Sequence, residues 1–389
     1  MMKVMTTMYT MKRGGSYDRF KMMIESFLEK QWEVHCLSLT PIQIEHSYYH
    51  NHLIINPFRI RRGLVAKFMV LSLFPIYSFS IGLREKIDLF IAFGPLYAFL
   101  QALPKLVLRR PMVTLIRLNL SLGQRVKGLA DYLIGLNKVI EYIGLRFSDR
   151  IIASNETIRE EIVNIFGRHK NEIKILFNNI PSISKSPQET IFQRRNQFGI
   201  SNEAKILVTA GVMTPRKNFE ILLRCFPKIK LENLFLLIVG DSSTNVDFQY
   251  KKYLKELSEA LGLSDRVIFV GWLEKQELWE VYHESDLFIL PSLNEGMPNA
   301  LLEALGSGLP CLGSNIPGNK DILQYDELLF DPLDERNLIT KIQQVFSNRQ
   351  LLDQIKKLCH ERKEVFEFDW KGRVFQLVTM GFNHVHDRC

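Results

Sequence analysis

The sequence has few cysteines, and they form no recognisable site. Its 389 residues contain five, scattered along the chain with no C-x-x-C pair: Cys36, Cys225, Cys311, Cys359 and Cys389. This argues against a disulfide framework or a zinc site, and it favours a reducing cytoplasm as the compartment. The N-terminal stretch MMKVMTTMYTMKRGGSYDRF also lacks the apolar core of a secretory signal.

Acidic residues are missing from two long stretches of the first half. None occurs between Glu45 and Glu85 or between Asp88 and Asp131, whereas both stretches contain several Arg and Lys. With a net charge of +8, the chain is expected to meet anionic partners such as phosphates or anionic lipid. Interleaved basic and apolar residues favour a membrane surface, and solvated helix faces are the alternative. Because no nucleic-acid recognition motif is present, nucleic acid is not expected as a partner.

Long hydrophobic runs are also scarce, and one stretch is the exception. Residues 63–83 carry a single charge, Lys67, and their length reaches the roughly 20 residues that a spanning helix needs. Lys67 and Pro75 argue against a membrane span. A buried or interfacial helix is the expectation, with a true span as the open alternative.

Short apolar runs alternate with helical patterns along almost the whole chain. The length suits two domains, and the apolar fraction of 46% is that of a folded protein. Alternation of this kind predicts an α/β fold with two Rossmann-like doubly wound domains that face each other across a cleft. Residues 1–184 and 185–370 are the predicted domains, and a helix within 371–389 is expected to pack back on the first.

The segment PSLNEGMPNALLEALGSGLP contains two carboxylates, Glu295 and Glu303. A strand is predicted just before it, and a helix is predicted to begin near Pro298 and to end at Gly308. The helix N-terminus then lies at the carboxyl end of a strand, where its free amides favour an anion such as a diphosphate. From the pattern alone, each acid is either a functional group or a solvated surface residue.

This segment resembles the signature of the retaining nucleotide-sugar glycosyltransferases of family 4, which have the GT-B fold. Residues 291–310 match every fixed position of the pattern P-S-x-x-E-G-x-P-N-x-L-L-E-A-x-x-x-G-x-P. RGGSYDRF at 13–20 and SDRIIASNETIREEI at 148–162 are also similar to family segments. The resemblance implies that Glu295 contacts the donor sugar and that Glu303 contacts the ribose hydroxyls.

A partial match at AGVMTPRKNF concerns the cations that hold the donor diphosphate. Gly211 and Lys217 align with the family, but Val212 stands where the family usually has Arg, and Arg216 is the expected substitute. The resemblance implies catalytic roles for Lys217 and Glu295. The remaining implied donor contacts are Gly14, Gly15, Gly211, Arg216, Asn218, Gly240, Gly296, Met297, Asn299 and Glu303.

The acceptor side departs from the family. A His that often follows the strand MVTLIRL is absent, so Arg117 or Asn119 is predicted to face the acceptor instead. Together, the missing His and Val212 keep open the alternative of a degenerate, non-catalytic partner protein. A nucleotide-sugar epimerase or a phosphorylase of the same fold is the other alternative.

The activity that the resemblance implies is transfer of a sugar from a nucleoside diphosphate to an acceptor hydroxyl with retention of configuration. The acceptor would be a glycan or a lipid-linked glycan in cell-surface polysaccharide or glycolipid synthesis, at the cytoplasmic face of the inner membrane. No cofactor and no metal are expected, since the sequence has no D-x-D pair and no evident histidine cluster suited to a metal.

Overall fold

The computed structural model describes residues 1–9, 15–54, 64–117, 131–181 and 193–381, and it divides into two compact units. The first unit contains Met1–Phe177 together with the chain from Asp369 onward, and the second contains Asn178–Phe368. The chain therefore leaves the first unit once and returns to it near its C-terminal end. The division falls earlier than the predicted boundary near residue 185, which itself lies outside the described residues.

The described part of the first unit is a seven-stranded parallel sheet with helices packed on it. In chain order its elements are β1 Lys3–Met8, α1 Gly15–Leu28, β2 Glu33–Ser38, β3 Tyr49–Leu53, α2 Leu64–Arg84, β4 Leu89–Ala92, α3 Pro95–Leu108, β5 Met112–Ile116, α4 Asp131–Arg146, β6 Arg150–Ala153, α5 Glu156–Phe166, β7 Ile173–Ile175 and, after the second unit, α14 Trp370–Thr379. The strand order is β3-β2-β1-β4-β5-β6-β7, which is a doubly wound order.

The described part of the second unit repeats the scheme with six parallel strands. Its elements are α6 Gln193–Gln197, β8 Lys205–Ala210, α7 Phe219–Cys225, β9 Leu234–Val239, α8 Asn245–Ala260, β10 Val267–Gly271, α9 Lys275–Glu284, β11 Leu287–Leu290, α10 Asn299–Gly306, β12 Cys311–Ser314, α11 Pro317–Leu323, β13 Leu329–Phe330, α12 Glu335–Ser347 and α13 Arg349–Phe366. The strand order is β10-β9-β8-β11-β12-β13.

Both sheets bury their central strands completely. Every residue of β4 and of β11 is buried, because helices cover the two faces of a parallel sheet and leave no side for water. This is why those strands read as continuous apolar runs, LFIA and LFIL. The predicted α/β class with two doubly wound units is confirmed. The prediction missed β3 and β13, which lie at the edges of their sheets.

The apolar stretch at 63–83 forms α2, with Pro75 inside the helix. Phe74 is buried in the core of the first unit, whereas Ile76 and Leu83 are exposed. Among the helices of the described ranges, none combines the length and the apolar character that a membrane crossing requires.

Helix α14 joins the first unit by packing on α1. The ring of Phe375 lies 5.8 Å from that of Phe27 and 5.1 Å from that of Trp32, measured between centroids. The ammonium group of Lys371 lies 2.8 Å from Glu25 Oε2 and 2.7 Å from Glu29 Oε1. Aromatic packing and a paired cation thus hold the returning segment against the first helix.

A glycine in α4 permits a close approach to α3. A Cβ atom on Gly144 would stand 2.4 Å from the Pro95 carbonyl oxygen and 2.8 Å from the Phe99 nitrogen, and neither backbone atom can move easily. We expect Gly144→Ala to lower the free energy of unfolding by about 1–3 kcal/mol through overpacking.

The matched control is Gly135→Ala in the same helix, where an added Cβ meets nothing within 4 Å. That change should raise stability by about 0.5–1 kcal/mol, because alanine is the better helix former. Urea unfolding of the two variants checks the pair. Equal effects of the two substitutions would contradict the close approach.

Candidate active site

Two loops meet at the carboxyl edge of the second sheet, where β8 and β11 are neighbours. The chain order reverses between these strands, and such a switch point is where open α/β sheets bind ligands. The loop after β8 carries Arg216 and Lys217, and the loop after β11 carries Glu295. A backbone hydrogen bond from Leu293 N to Arg216 O, 2.8 Å long, ties the two loops together.

Two glycines allow the strand ends at this edge to crowd together. Gly211 has φ +147° and Gly240 has φ +128°, a backbone region that side chains disfavour. A Cβ on Gly240 would stand 2.0 Å from the Gly211 carbonyl oxygen, and one on Gly211 would stand 3.0 Å from Lys217 Cε. These predicted site glycines therefore make room for Lys217 beside the sheet.

Three side chains converge on the carboxylate of Glu295. Lys217 Nζ lies 2.6 Å from Oε1, and Arg216 Nη1 lies 2.9 Å from Oε2. The hydroxyl of Ser292 donates to Oε1 at 2.9 Å. The side chains of Lys217 and Glu295 are each only 7% exposed, and that of Arg216 is 26% exposed. The result is a buried ion-paired cluster with one cation that reaches solvent.

The electrostatics of the cluster favour the charged carboxylate. Burial alone would raise the pKa of Glu295, but the charges of Lys217 and Arg216 outweigh it and lower the pKa to about 2. Burial lowers the pKa of Lys217 below its ordinary value, against the opposing effect of Glu295. Glu295 is consequently an ion throughout the neutral range, and its two oxygens are already held in place.

Arg216 lies beside Lys217 at the Glu295 carboxylate. Its guanidinium contacts Glu295 and also donates from Nη1 to the Asn294 carbonyl oxygen at 3.1 Å. A second cation therefore lies beside Lys217, although Val212 occupies the position where the family that the sequence resembles usually has Arg. Contact of Arg216 with a diphosphate remains a prediction.

Helix α10 begins directly after the Glu295 loop. Pro298 is its N-cap residue and supplies no side-chain hydrogen bond, and no acid lies in the first turn. Its leading N–H groups and positive dipole end are therefore not offset by a capping side chain or an acidic residue. Gly318 packs under this loop, since a Cβ there would stand 2.4 Å from the Glu295 carbonyl oxygen.

Glu303 lies in the second turn of α10 and is half-buried. Its charge raises the pKa of Lys217 slightly, in opposition to burial, and it adds to the effect of burial in raising the pKa of Tyr282. The structure thus brings both predicted acids into the electrostatic reach of one lysine. Their separate contacts with sugar and ribose remain predictions.

Several predicted donor contacts have structural partners within the second unit. The amide of Asn218 donates to the Pro332 carbonyl oxygen at 3.0 Å. The amide of Asn178 donates to the Met297 carbonyl oxygen at 3.0 Å and to Asn299 Oδ1 at 2.9 Å. The two bonds of Asn178 hold the loop before α10 and the first residue of that helix.

The predicted residues of the first unit are only partly described. Gly15 is the first residue of α1, and Arg117 follows β5, with its guanidinium 5.6 Å from the Phe93 ring centroid. Burial and the nearby Arg19 lower the pKa of Arg117 to about 9. Gly14 and Asn119 lie outside the described residues. The acceptor roles therefore stay predictions.

Two polar residues of the Glu295 loop were missed from the sequence. Ser292 orients the carboxylate, and the side-chain nitrogen of Asn294 is buried with no hydrogen-bond partner among the described residues. A buried donor without a partner costs free energy, which a bound ligand would recover. Their only sequence signal was their place between the strand and the first Glu.

No histidine cluster was evident from the sequence, but strand pairing forms one. Pairing of β2 with β3 brings Glu33, His35 and His50 together in the first unit. The sequence did not reveal this because β3 was not predicted, so nothing placed His50 beside His35.

Comparison with known proteins agrees with this architecture. Residues 190–361 match the family model described as glycosyl transferases group 1. An uncharacterised glycosyltransferase of Methanocaldococcus jannaschii is 28% identical over 192 residues, or 48% of this chain and 47% of that protein. An Escherichia coli UDP-Gal:α-D-GlcNAc-diphosphoundecaprenol α-1,3-galactosyltransferase is 26% identical over 58% of both chains. The chain thus spans about half the length of the curated relatives it matches.

A solved structure extends the fold comparison to both units. Anabaena HepE, crystallised with UDP and glucose, aligns with a TM-score of 0.77 over 98% of this chain and 100% of its own, at 16% identity. At that identity the likeness establishes the fold alone. The chain has the fold of the GT-B glycosyltransferases, and its residues 190–361 are similar to the glycosyl transferases group 1 model.

Proposed function

We propose that this protein is a retaining glycosyltransferase of family 4 that uses a nucleoside diphosphate sugar. The observation that carries the proposal is the buried cluster of Lys217, Arg216 and Glu295 beside the uncapped N-terminus of α10. Two cations and a set of free amides at a switch point suit a diphosphate. HepE, with the same fold, was crystallised with UDP and glucose.

The cations of the cluster would act on the leaving group. When the bond between the sugar and the diphosphate breaks, negative charge develops on the departing diphosphate. Lys217, Arg216 and the first amides of α10 are fixed in advance, so they stabilise that charge without reorganising. We propose on this ground that the reaction needs no metal, since these groups supply the positive charge.

Glu295 would bind the donor sugar as a hydrogen-bond acceptor and not as a covalent nucleophile. Both of its oxygens are held by Lys217, Arg216 and Ser292, and its pKa of about 2 is that of a weakly nucleophilic carboxylate. The acceptor oxygen would then attack on the face from which the diphosphate leaves, which gives retention. Glu303 would accept hydrogen bonds from the two ribose hydroxyls.

The first unit would bring the enzyme to an anionic membrane surface. Helix α3 packs against α4, and each helix has an exposed apolar stripe. We name these residues the α3–α4 face: Leu103, Leu106, Val107, Leu136, Val139 and Tyr142. Arg109 is the exposed C-cap residue of α3, and Arg146 continues the stripe of α4. Apolar stripes with basic ends suit an interface that contains anionic lipid.

We expect the double variant Leu106→Glu/Val139→Glu to bind anionic lipid vesicles at least about tenfold more weakly. Each substitution removes apolar burial worth roughly 1.5–3 kcal/mol and adds repulsion from the lipid charge. Vesicle co-sedimentation measures the effect. Leu333→Glu, at an exposed leucine of the second unit, is the matched control and should bind like the wild type. Equal binding by all three proteins would contradict a role for the α3–α4 face.

The acceptor would be a glycan or a lipid-linked glycan at the cytoplasmic face of the membrane, in polysaccharide or glycolipid synthesis. The Escherichia coli relative is named for a diphosphoundecaprenol-linked acceptor, and such an acceptor is embedded in the bilayer. A peripheral enzyme on the membrane surface would meet it there.

The direct test is a donor screen by mass spectrometry. The purified chain is incubated with a panel of UDP- and GDP-sugars in the presence of a chelator, and release of the nucleoside diphosphate is followed. One donor is expected to release its nucleoside diphosphate. NMR of the transferred sugar is expected to show that the anomeric configuration is retained. An isomerised donor without release would indicate an epimerase. Binding without release, with every acceptor offered, would indicate a non-catalytic partner.

A further inference from the structure

One carboxylate and three imidazoles gather at the outer edge of the first sheet. Glu33 and His35 are two residues apart on β2, so their side chains point to the same face of the sheet. In the parallel pairing of β2 with β3, His35 is opposite His50, and Leu37 is opposite His52. The edge strand thereby adds two histidines to the face that already carries Glu33 and His35.

The spacing of three of these groups is that of ligands around one metal ion. Glu33 Oε1 lies 3.1 Å from His35 Nε2 and 3.2 Å from His50 Nε2. All three atoms lie within 4.8 Å of one another. Ligand atoms bound tetrahedrally at 2.0–2.1 Å from zinc are about 3.3 Å apart. The three side chains therefore need little rearrangement to surround an ion.

The fourth residue, His52, would orient a ligand. Its Nε2 atom lies 2.9 Å from His35 Nδ1, and the two rings are stacked with centroids 5.2 Å apart. If Nδ1 of His35 donates to His52, its Nε2 atom presents a lone pair toward Glu33. A hydrogen bond on the far nitrogen is the usual way in which proteins fix a metal-binding imidazole.

Burial and charge fit a site that is held firmly but remains accessible. His35 is buried, whereas the side chain of His50 is 43% exposed and gives an ion access from solvent. Lys3 pairs with Glu33 Oε2 at 2.8 Å and leaves Oε1 to the cluster. Among the charged groups around the histidines, Arg84 opposes a cation and Glu85 favours one.

We propose that Glu33, His35 and His50 form a binding site for a divalent transition-metal ion, with His52 as a positioning residue. Two imidazole nitrogens and one carboxylate oxygen form a donor set that prefers zinc over magnesium or calcium. The bound ion would link the edge strand β3 to β2, with its remaining coordination position open to water. The site lies in the first unit and does not depend on the function proposed for the second.

The test uses the full chain after dialysis against a chelator. Calorimetric titration with Zn²⁺ should show one ion bound per chain, and Co²⁺ should give visible absorption bands of an N/O-ligated site. His50→Ala should weaken Zn²⁺ binding at least about a hundredfold, and His52→Ala about ten- to a hundredfold. Zn²⁺ should also raise the Tm of the wild type and not that of His50→Ala.

Two controls separate this site from other histidines. His360→Ala removes an exposed histidine that lies 3.5 Å from Glu364, and it should leave zinc affinity unchanged. His384→Ala/His386→Ala addresses two histidines near the C-terminus, outside the described residues, and it should also bind like the wild type. The proposal is overturned if His50→Ala binds Zn²⁺ as the wild type does, or if the wild type binds no stoichiometric Zn²⁺. The cluster would then be a hydrogen-bonded network that only supports the sheet edge.

Discussion

Glu295→Gln is expected to lower kcat of sugar transfer at least about a hundredfold, the scale of losing one preorganised electrostatic contact in an active site. Glutamine has nearly the shape of glutamate but lacks its charge. Without that charge, Lys217 and Arg216 lose the ion that holds them 2.6 and 2.9 Å away. The substitution should therefore weaken the proposed sugar contact and disorder the two cations that are proposed to face the leaving group. Steady-state kinetics with the donor found by screening measures the loss.

The same substitution should also cost stability. Removing one partner of a buried ion pair leaves an uncompensated charge, at a cost of about 3–5 kcal/mol. The control is Glu335→Gln, which breaks the exposed pair between Lys228 and Glu335 in the same unit and should cost less than about 1 kcal/mol. That control should retain full activity. Wild-type kinetics in Glu295→Gln would contradict the assignment.

The dependence of stability on acidic pH provides an independent check of the Glu295 environment. Its pKa is about 2 in the folded unit against an ordinary 4.5, because Lys217 and Arg216 favour the ion over the effect of burial. The folded state thus binds fewer protons than the unfolded state, so the stabilisation is complete above about pH 4.5 and is lost toward pH 2. The stability gap between the wild type and Glu295→Gln should narrow across that acidic window and stay constant above it.

Lys217→Met is expected to produce the second large loss, mainly in kcat/KM for the donor. Methionine retains the length and the apolar stem of the lysine, but it removes the cation nearest the expected diphosphate. We expect a decrease of at least about a hundredfold, because a hydrogen bond from a charged group to an ionised phosphate is among the stronger polar contacts. Lys228→Met, at an exposed lysine of the same unit, is the matched control.

The stability of Lys217→Met distinguishes a paired cluster from independent charges. Arg216 and Ser292 still contact Glu295 after the substitution. The decrease in the free energy of unfolding should therefore be smaller than that caused by Glu295→Gln. The double variant Lys217→Met/Glu295→Gln should be more stable than the sum of the single losses predicts, because it buries neither charge. If the decrease in the free energy of unfolding of the double variant, measured in urea, equals the sum of the two single decreases, direct coupling of the two side chains is contradicted.

Much of the fold was predictable because parallel strands leave a strong signal. Strands such as β11 are buried on both faces, so they are short continuous apolar runs. Edge strands do not leave that signal. In β3 the residues YHNHL are mostly half-buried and polar, so the alternation that would mark a strand is absent. The cluster of Glu33, His35 and His50 was missed for the same reason.

The candidate site was predictable as a set of residue types and not as a set of contacts. Local pattern predicted a helix N-terminus after Glu295, whereas the role of Glu295 itself was implied only by the family resemblance. The pairing of Arg216 with Glu295 joins loops that follow different strands, and the bonds of Asn178 to Met297 and Asn299 cross more than a hundred positions. Such contacts depend on strand order in the sheet, which the sequence does not state residue by residue.

The most direct test of the proposed donor site is calorimetric titration of UDP and GDP into the wild type and Lys217→Met. One of the two nucleotides is expected to bind the wild type, and Lys217→Met is expected to bind it at least about tenfold more weakly, the effect of one charge-assisted contact. Binding of neither nucleotide, or equal affinity in both proteins, would contradict the claim that Lys217 and its neighbours form a diphosphate site.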